Sequence, residues 1–260
     1  EEEEEGEEEA PVLLAAYSQV WYKRAANQGH PEAAFNLGLL FAQEAQKSLE
    51  TGAGAGVSAH DGSGGSNRAG SRIQAQEAAA EYWWRLAADK DHAEACVNLG
   101  TLVARNSRAA AAATSAFRVG AATELLQGSE VKVAVGDGTL ATAATKNIVA
   151  GVATTEAEAT SKAEAAELEA VALWRKAVAL DETLAEAHFM LAQACERGMR
   201  GTEANAMGEH EADGGGDADA NANKARLRAA LSSFETSASL GFPPAEQEVA
   251  RVRAALTNLK

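Results

Sequence analysis

Large and small apolar residues share the stretch WYKRAANQGHPEAAFNLGLLF, residues 21–41, with polar residues gathered at its middle. The pattern predicts two close-packed helices joined by a tight turn. Trp21, Phe35, Leu37 and Phe41 are large enough to fill the space between helices, whereas Ala25, Ala26, Ala33 and Gly38 let backbones approach. Gly29 stands where the first helix would end and a left-handed residue is wanted. Pro31 suits the opening position of the second helix, where its missing N–H costs nothing. A single pair cannot bury its own apolar face, so neighbours must stack on it. Two further stretches have other rhythms. Val131, Val133 and Val135 alternate before a Gly-Asp-Gly turn, a pattern compatible with a short hairpin. Such a hairpin is marginal in water by itself. Residues 154–180 read as one long helix, capped by Thr154 or Thr155 with acids in its first turn.

The helix-turn-helix pattern recurs. At a constant offset of 62, Trp21, Ala25, Ala26, His30, Glu32, Ala33, Asn36, Leu37, Gly38 and Leu40 reappear as Trp83, Ala87, Ala88, His92, Glu94, Ala95, Asn98, Leu99, Gly100 and Leu102. A third copy spans 173–194 with two extra residues in its turn, after which Ala185, Glu186, Ala187 and Leu191 take the places of Pro31, Glu32, Ala33 and Leu37. A degenerate fourth copy spans 234–252, with Ala238, Gly241, Ala245 and Val249 at the places of Ala26, Gly29, Ala33 and Leu37.

These residues resemble the Sel1-like repeat, a relative of the tetratricopeptide repeat. The resemblance lies in the spacing Trp21, Ala25, Ala26, Gly29, Ala33, Leu37, Gly38; the second copy departs from it at Asp91, which replaces the Gly. The third copy, with Arg175-Lys176-Ala177 and Ala185-Glu186-Ala187, looks closer to a tetratricopeptide repeat. Together the copies cover about half the chain. The resemblance implies an all-α fold, a right-handed superhelical solenoid of antiparallel helix pairs, and the composition between the copies adds long disordered insertions to it. In its register each unit has a first helix carrying the Ala-Glu-Ala and Leu-Gly segments and a second helix carrying the Trp and the Ala pair. The helices expected are then 12–28, 31–45, 77–90, 92–106, 155–180, 184–198, 223–240 and 244–258. The sequence opens on Glu1 rather than Met, on a second helix, and closes on a first helix; the expectation is a piece of a longer array.

The excess length falls between a first helix and its own second helix each time, which places the insertions along one edge of a regular stack. The expected organisation is an acidic disordered tail at 1–10 and repeat helices at 11–45, 77–106, 155–198 and, degenerate, 223–260. Between them lie a Gly/Ser-rich insertion at 46–76, an Ala-rich one at 107–154 and a Gly/Asp-rich one at 199–222.

Composition narrows the function. About 63 Ala make up a quarter of the 260 residues, while Leu, Ile, Val and Phe reach only about 45. That balance argues against one large core. The net charge of −15 owes eight units to the Glu of residues 1–9, read as a solvated tail. No Lys/Arg cluster suits a phosphate backbone, so nucleic acid is not expected as a partner. No apolar run reaches the length of a membrane span. Cys96 and Cys195 form no metal or redox motif, and two thiols without a framework favour the cytoplasm.

Other motifs are read as structural. Gly136, Gly138 and Ala141 follow the Val131–Val135 run as in a dinucleotide fingerprint, with Glu156 downstream, but no parallel βαβ unit surrounds them. Asp217, Asp219 and Asn221 open like a calcium loop, yet Ala222 and Arg228 stand where Gly and Glu are needed. His30 and His92 are read as turn residues, and Cys96 as a small core residue. No catalytic residue, cofactor or metal site and no small-molecule substrate is expected.

The resemblance points to the inner wall of the superhelix, lined by first helices, as the working surface. Its places fall on Phe35 and Leu39, Val97 and Thr101, and Phe189 and Gln193, four apart and therefore on one face. Asn36 and Asn98 stand beside them, able to hold a peptide backbone. The alternative for Phe35 and Phe189 is packing between helices. The expected role is a non-enzymatic adaptor or scaffold that binds a protein or peptide. The alternative is a structural subunit of a larger assembly with the insertions as contact arms.

Overall fold

The structure, a computed structural model, describes residues 9–50, 65–127, 140–202 and 217–259. Among these residues the fold is all-α: eight helices and no strand. They are α1 (Glu9–Asn27), α2 (Pro31–Glu50), α3 (Gly65–Ala88), α4 (Ala93–Gln127), α5 (Leu140–Leu180), α6 (Ala185–Arg197), α7 (Asp217–Ser239) and α8 (Pro243–Asn258).

Each expected helix is present, but several run further than the sequence predicts. α3 starts at Gly65 and α2 runs to Glu50, so the insertion expected at 46–76 is helical at both ends. α4 continues to Gln127 and α5 begins at Leu140, so most of the stretch expected as the 107–154 insertion is helix too. Thr154 and Thr155 lie inside α5 rather than at its start. In α4 and α5 the cause is alanine, the strongest helix former, which carries these helices past the end of the apolar pattern. Asp217, Asp219 and Asn221 likewise belong to α7. The Val131–Val135 run, Gly136, Gly138, and residues 1–8 of the acidic tail lie outside the described residues.

One turn geometry closes four of the helices. At the end of α1, Gly29 N–H donates to Ala26 O at 2.9 Å and His30 N–H to Ala25 O at 3.3 Å. These are the paired bonds of a Schellman turn, and Gly29 takes φ +88° to make them. The same two bonds close α3 through Asp91 and His92, α6 through Gly198 and Met199, and α7 through Gly241 and Phe242. Asp91 holds φ 59° where the others use glycine; a short acidic side chain is among the few that tolerate it. After α5 the turn is different. Asp181 accepts the Thr183 N–H at 2.9 Å and its hydroxyl at 2.7 Å. These two bonds account for the extra residues of the third copy and hold the Asp181 carboxyl below its usual range.

The chain divides into two compact units. The first comprises Glu1–Leu99, Leu173–Met190 and Phe234–Glu248; the second comprises Gly100–Ala172, Leu191–Ser233 and Val249–Lys260.

In the first unit the second helix of each pair lays an aromatic ring on the first. Trp84 of α3 covers Gly38 of α2 so closely that a Cβ at Gly38 would collide with the indole. Trp174 of α5 donates its indole N–H to Val97 O of α4 at 3.3 Å. Phe234 of α7 meets Phe189 of α6 edge-on, with ring centroids 5.4 Å apart, and Ser237 donates to Ala185 O at 2.7 Å. Trp84, Trp174 and Phe234 are all buried. Polar ties join α1, α2 and α3: Glu44 accepts from Gln19 at 3.0 Å and from Gln76 at 3.4 Å, and Ser48 donates to Gln76 at 3.3 Å.

In the second unit, Ser107 of α4 donates to Ala163 O of α5 at 3.3 Å. Arg200 pairs with Glu164 at 3.1 Å and Arg251 of α8 with Glu196 of α6 at 2.6 Å. Leu102, Ala104, Ala170, Val171, Leu227, Ala230 and Val252 are among its buried apolar residues.

Candidate functional site

The first unit contains six of the eight residues expected to line a binding wall, and the structure sorts them by depth. Phe35, Val97 and Phe189 are buried, none more than 8% exposed. Asn36, Leu39 and Asn98 are half-buried. Thr101 and Gln193 belong to the second unit, both half-buried, where Gln193 accepts a bond from Arg197 at 3.2 Å.

The buried three are occupied by the protein itself. Phe35 stacks on the His92 ring, centroids 4.6 Å apart and planes 21° apart. Phe189 touches Phe234 and also Phe242, at 5.0 Å. The Val97 carbonyl accepts the Trp174 indole N–H. Of the two readings open for Phe35 and Phe189, the geometry is that of packing between helices. The residues left reachable on α2 and α4 are Asn36, Leu39 and Asn98. Each sits next to a buried anchor, so its backbone position is fixed by core packing.

His92 is fixed by its surroundings. It stands just before α4, and its Nδ1 accepts the Ala95 N–H at 3.3 Å, the role of an N-cap side chain. That leaves Nε2 to carry the proton, facing Glu32 at 3.5 Å. His30, at the same place in the first copy, is exposed. Sequence reading treated the two as equivalent turn residues. Only His92 has a preceding Phe35 ring to lie on.

Acidic side chains mark the N-termini of the first helices. Glu32, Glu94 and Glu186 each stand in the first turn of α2, α4 and α6, where the helix dipole favours negative charge. Partial shielding from water, reinforced by Glu94, pushes the Glu186 carboxyl above its usual range. At the far end of the pair, Lys176 donates to Ala88 O at 2.7 Å and pairs with Asp91 at 2.8 Å. The hydrogen bond to Asp91 raises the Lys176 pKa above the ordinary lysine value. Burial pushes the Cys96 thiol up, against the lowering effect of Lys176, so its thiolate is disfavoured. Cys195 is buried as well, and neither cysteine is bridged.

Among the described residues, no three His, Cys, Asp or Glu side chains gather as a metal site requires. No described helix is long and apolar enough to cross a membrane.

Sequence reading missed the most regular feature of this unit. It singled out the column of Trp21 and Trp83, yet Trp21 is 64% exposed. The packing column is the next residue along, Trp84, Trp174 and Phe234, all buried, with the half-buried Tyr22 at the same place in the first copy. Its signal was present as an aromatic residue in all four copies. Comparison with known proteins found no match, whether to a family model, a curated protein or a solved structure.

Proposed function

We propose that this chain is a non-enzymatic protein-interaction adaptor or scaffold, built as a right-handed solenoid of Sel1-like helix pairs. One observation supports the reading most. The same contact, an aromatic of the second helix over residues of the first, recurs in α2/α3, α4/α5 and α6/α7. Repetition of one pair contact is the signature of an array whose units bury one another. Arrays of this kind present one face of their first helices in register. On that face the recognition groups are Asn36, Leu39 and Asn98, which offer amide donors and acceptors beside an apolar side chain. This combination suits an extended peptide, with the amides on its backbone and Leu39 under a side chain.

The reading is tested by affinity capture from native extract with the wild-type chain and the Asn36→Ala/Asn98→Ala variant. Both asparagines are half-buried, and circular dichroism checks that the fold survives their replacement. Captured proteins should be lost from the variant. If capture persists in the variant but fails when 51–64 is deleted, the segment between α2 and α3 is the binding surface and the helices only carry it.

A further inference from the structure

The second unit brings together arginines that lie far apart in the sequence, where no single stretch reveals them. Adjacent residues of α5 hold both α4 and the end of α6. Ala163 O accepts from Ser107 of α4 at 3.3 Å, and Glu164 pairs with Arg200, just beyond α6, at 3.1 Å. Gly201 packs on the same helix; a Cβ there would stand 3.1 Å from Leu168. Arg108, next to Ser107, and Arg197, the last residue of α6, are thereby carried to one place on the surface, and both are exposed. A third guanidinium comes from α7. Arg226 lies against Gly198, its Nη1 2.6 Å from where a Cβ would stand. All of these residues belong to the second unit.

Carboxylates do not balance these three charges. Glu164 is engaged by Arg200, and Glu196 by Arg251 at 2.6 Å. Arg108 donates from Nε to Ala104 O at 3.0 Å, and Arg197 from Nη2 to Gln193 at 3.2 Å. Among the described residues neither pairs with an acid. The buried Nε of Arg226 has no hydrogen-bond partner at all. Partial shielding from water, and then the charge of Arg108, hold Arg197 below the ordinary arginine range, with Glu196 offsetting only part of the effect. The end of a helix favours a cation. Yet the turn after α6 already gives Cys195 O and Ala194 O their donors, Gly198 N–H and Met199 N–H, so three guanidinium groups exceed what that end requires.

We infer that Arg108 and Arg197, with Arg226 beside Gly198, bind a phosphoryl group carried on a serine or threonine of a protein partner. Such a group has a charge of about −1.5 to −2 near neutral pH, which answers two or three arginines where a single carboxylate does not. The planar guanidinium fork donates paired hydrogen bonds to phosphate oxygens, and arginine clusters are a recurring means of reading phosphorylated segments. Arg108 and Arg197 are exposed, so a phosphoryl group can reach them while still attached to a chain. A nucleic acid fits less well, because Glu164 and Glu196 would repel its further phosphates. The inference takes from the adaptor reading only that the partner is a protein, and it uses none of Asn36, Leu39 and Asn98.

An array of varied serine- and threonine-containing peptides tests it, each printed unmodified, phosphorylated, and with Glu in place of the modified residue. The intact chain, carrying a fluorescent label, should be retained by a subset of the phosphorylated peptides about tenfold or more above their unmodified and Glu twins. Arg108→Gln and Arg197→Gln should each lose about tenfold of that retention. Both residues are exposed, so circular dichroism should match wild type. Inorganic phosphate should compete only at concentrations far above the best phosphopeptide. Retention that ignores the phosphate, or that survives both substitutions, overturns the inference. So does inorganic phosphate bound as tightly as any phosphopeptide, which would make the ligand a free anion. An RNA oligonucleotide that displaces every phosphopeptide and is itself lost from both variants would overturn it in favour of nucleic acid. The Asn36→Ala/Asn98→Ala variant should bind the array as wild type does, so failure of the adaptor capture and failure here are separate results.

Discussion

Two tryptophans at one repeat place do different things with their N–H groups. Trp174 donates to the Val97 carbonyl, while Trp84 Nε1 is buried over Gly38 with no hydrogen-bond partner. Changing either to Phe removes similar ring volume, but only Trp174→Phe also removes a hydrogen bond. Urea denaturation should show Trp174→Phe costing about 1 kcal/mol more than Trp84→Phe, the net worth of one such bond. Equal costs would mean that the Trp174 bond adds nothing. The glycines divide in a similar way. At Gly29 the obstacle to a side chain is backbone conformation, since a Cβ there meets nothing within 4 Å. Gly29→Ala should cost about 1–2 kcal/mol. At Gly38 the backbone is ordinary helix and the obstacle is the Trp84 ring. Gly38→Ala should cost about 1–3 kcal/mol through overpacking, with a shifted tryptophan emission. Both glycines could be read in the sequence, Gly29 from its place before Pro31 and Gly38 from its recurrence as Gly100. The aromatic column was harder to see, because Tyr22, Trp84, Trp174 and Phe234 share only size and flatness. An identity match passes over such a column and favours Trp21 with Trp83.

Helices were legible by existence and order, while their lengths were not. The small-and-large apolar pattern of 21–41 specifies where two helices must touch, and it stops where contact stops. Ala109 to Ala113 and the Ala-rich run after Leu140 make no such pattern, yet their propensity carries α4 and α5 onward. Hydrogen exchange separates the two kinds of helix. Amides of α3 from Gln76 to Ala88, where buried residues recur, should exchange slowly with those of α2. Amides at 109–113, exposed on α4, should exchange much faster, since propensity alone gives a marginal helix. Equal protection along α4 would show a packing partner for that segment. The tie between the α3 turn and α5 carries a pH signature. The bond to Asp91 raises the Lys176 pKa, so its contribution is complete at neutral pH and disappears as pH rises through that raised value. Lys176 keeps 39% of its side chain exposed and Asp91 67%, so screening limits the pair to about 1 kcal/mol or less. Lys176→Met should lower stability modestly at pH 7, and the difference from wild type should shrink in strongly alkaline solution.

At the scale of the whole molecule, a chain with few large apolar residues has to divide its core among many small contacts. The buried set fits this: half of its apolar members are alanines. The proposed binding face follows from the same economy. Phe35, Val97 and Phe189 stand at the wall places the sequence predicts, with packing between helices the alternative for the two Phe, and in a chain this poor in large side chains all three are buried. Asn36, Leu39 and Asn98 remain as the proposed recognition groups. Photo-crosslinking tests that claim most directly. A benzophenone amino acid is placed at Leu39, at Asn98 or at Arg175, an exposed residue of the second helix α5, and each chain is irradiated in native extract. The account predicts that positions 39 and 98 capture the same protein and that position 175 does not. Capture of that protein at 175, with none at 39 and 98, would contradict it.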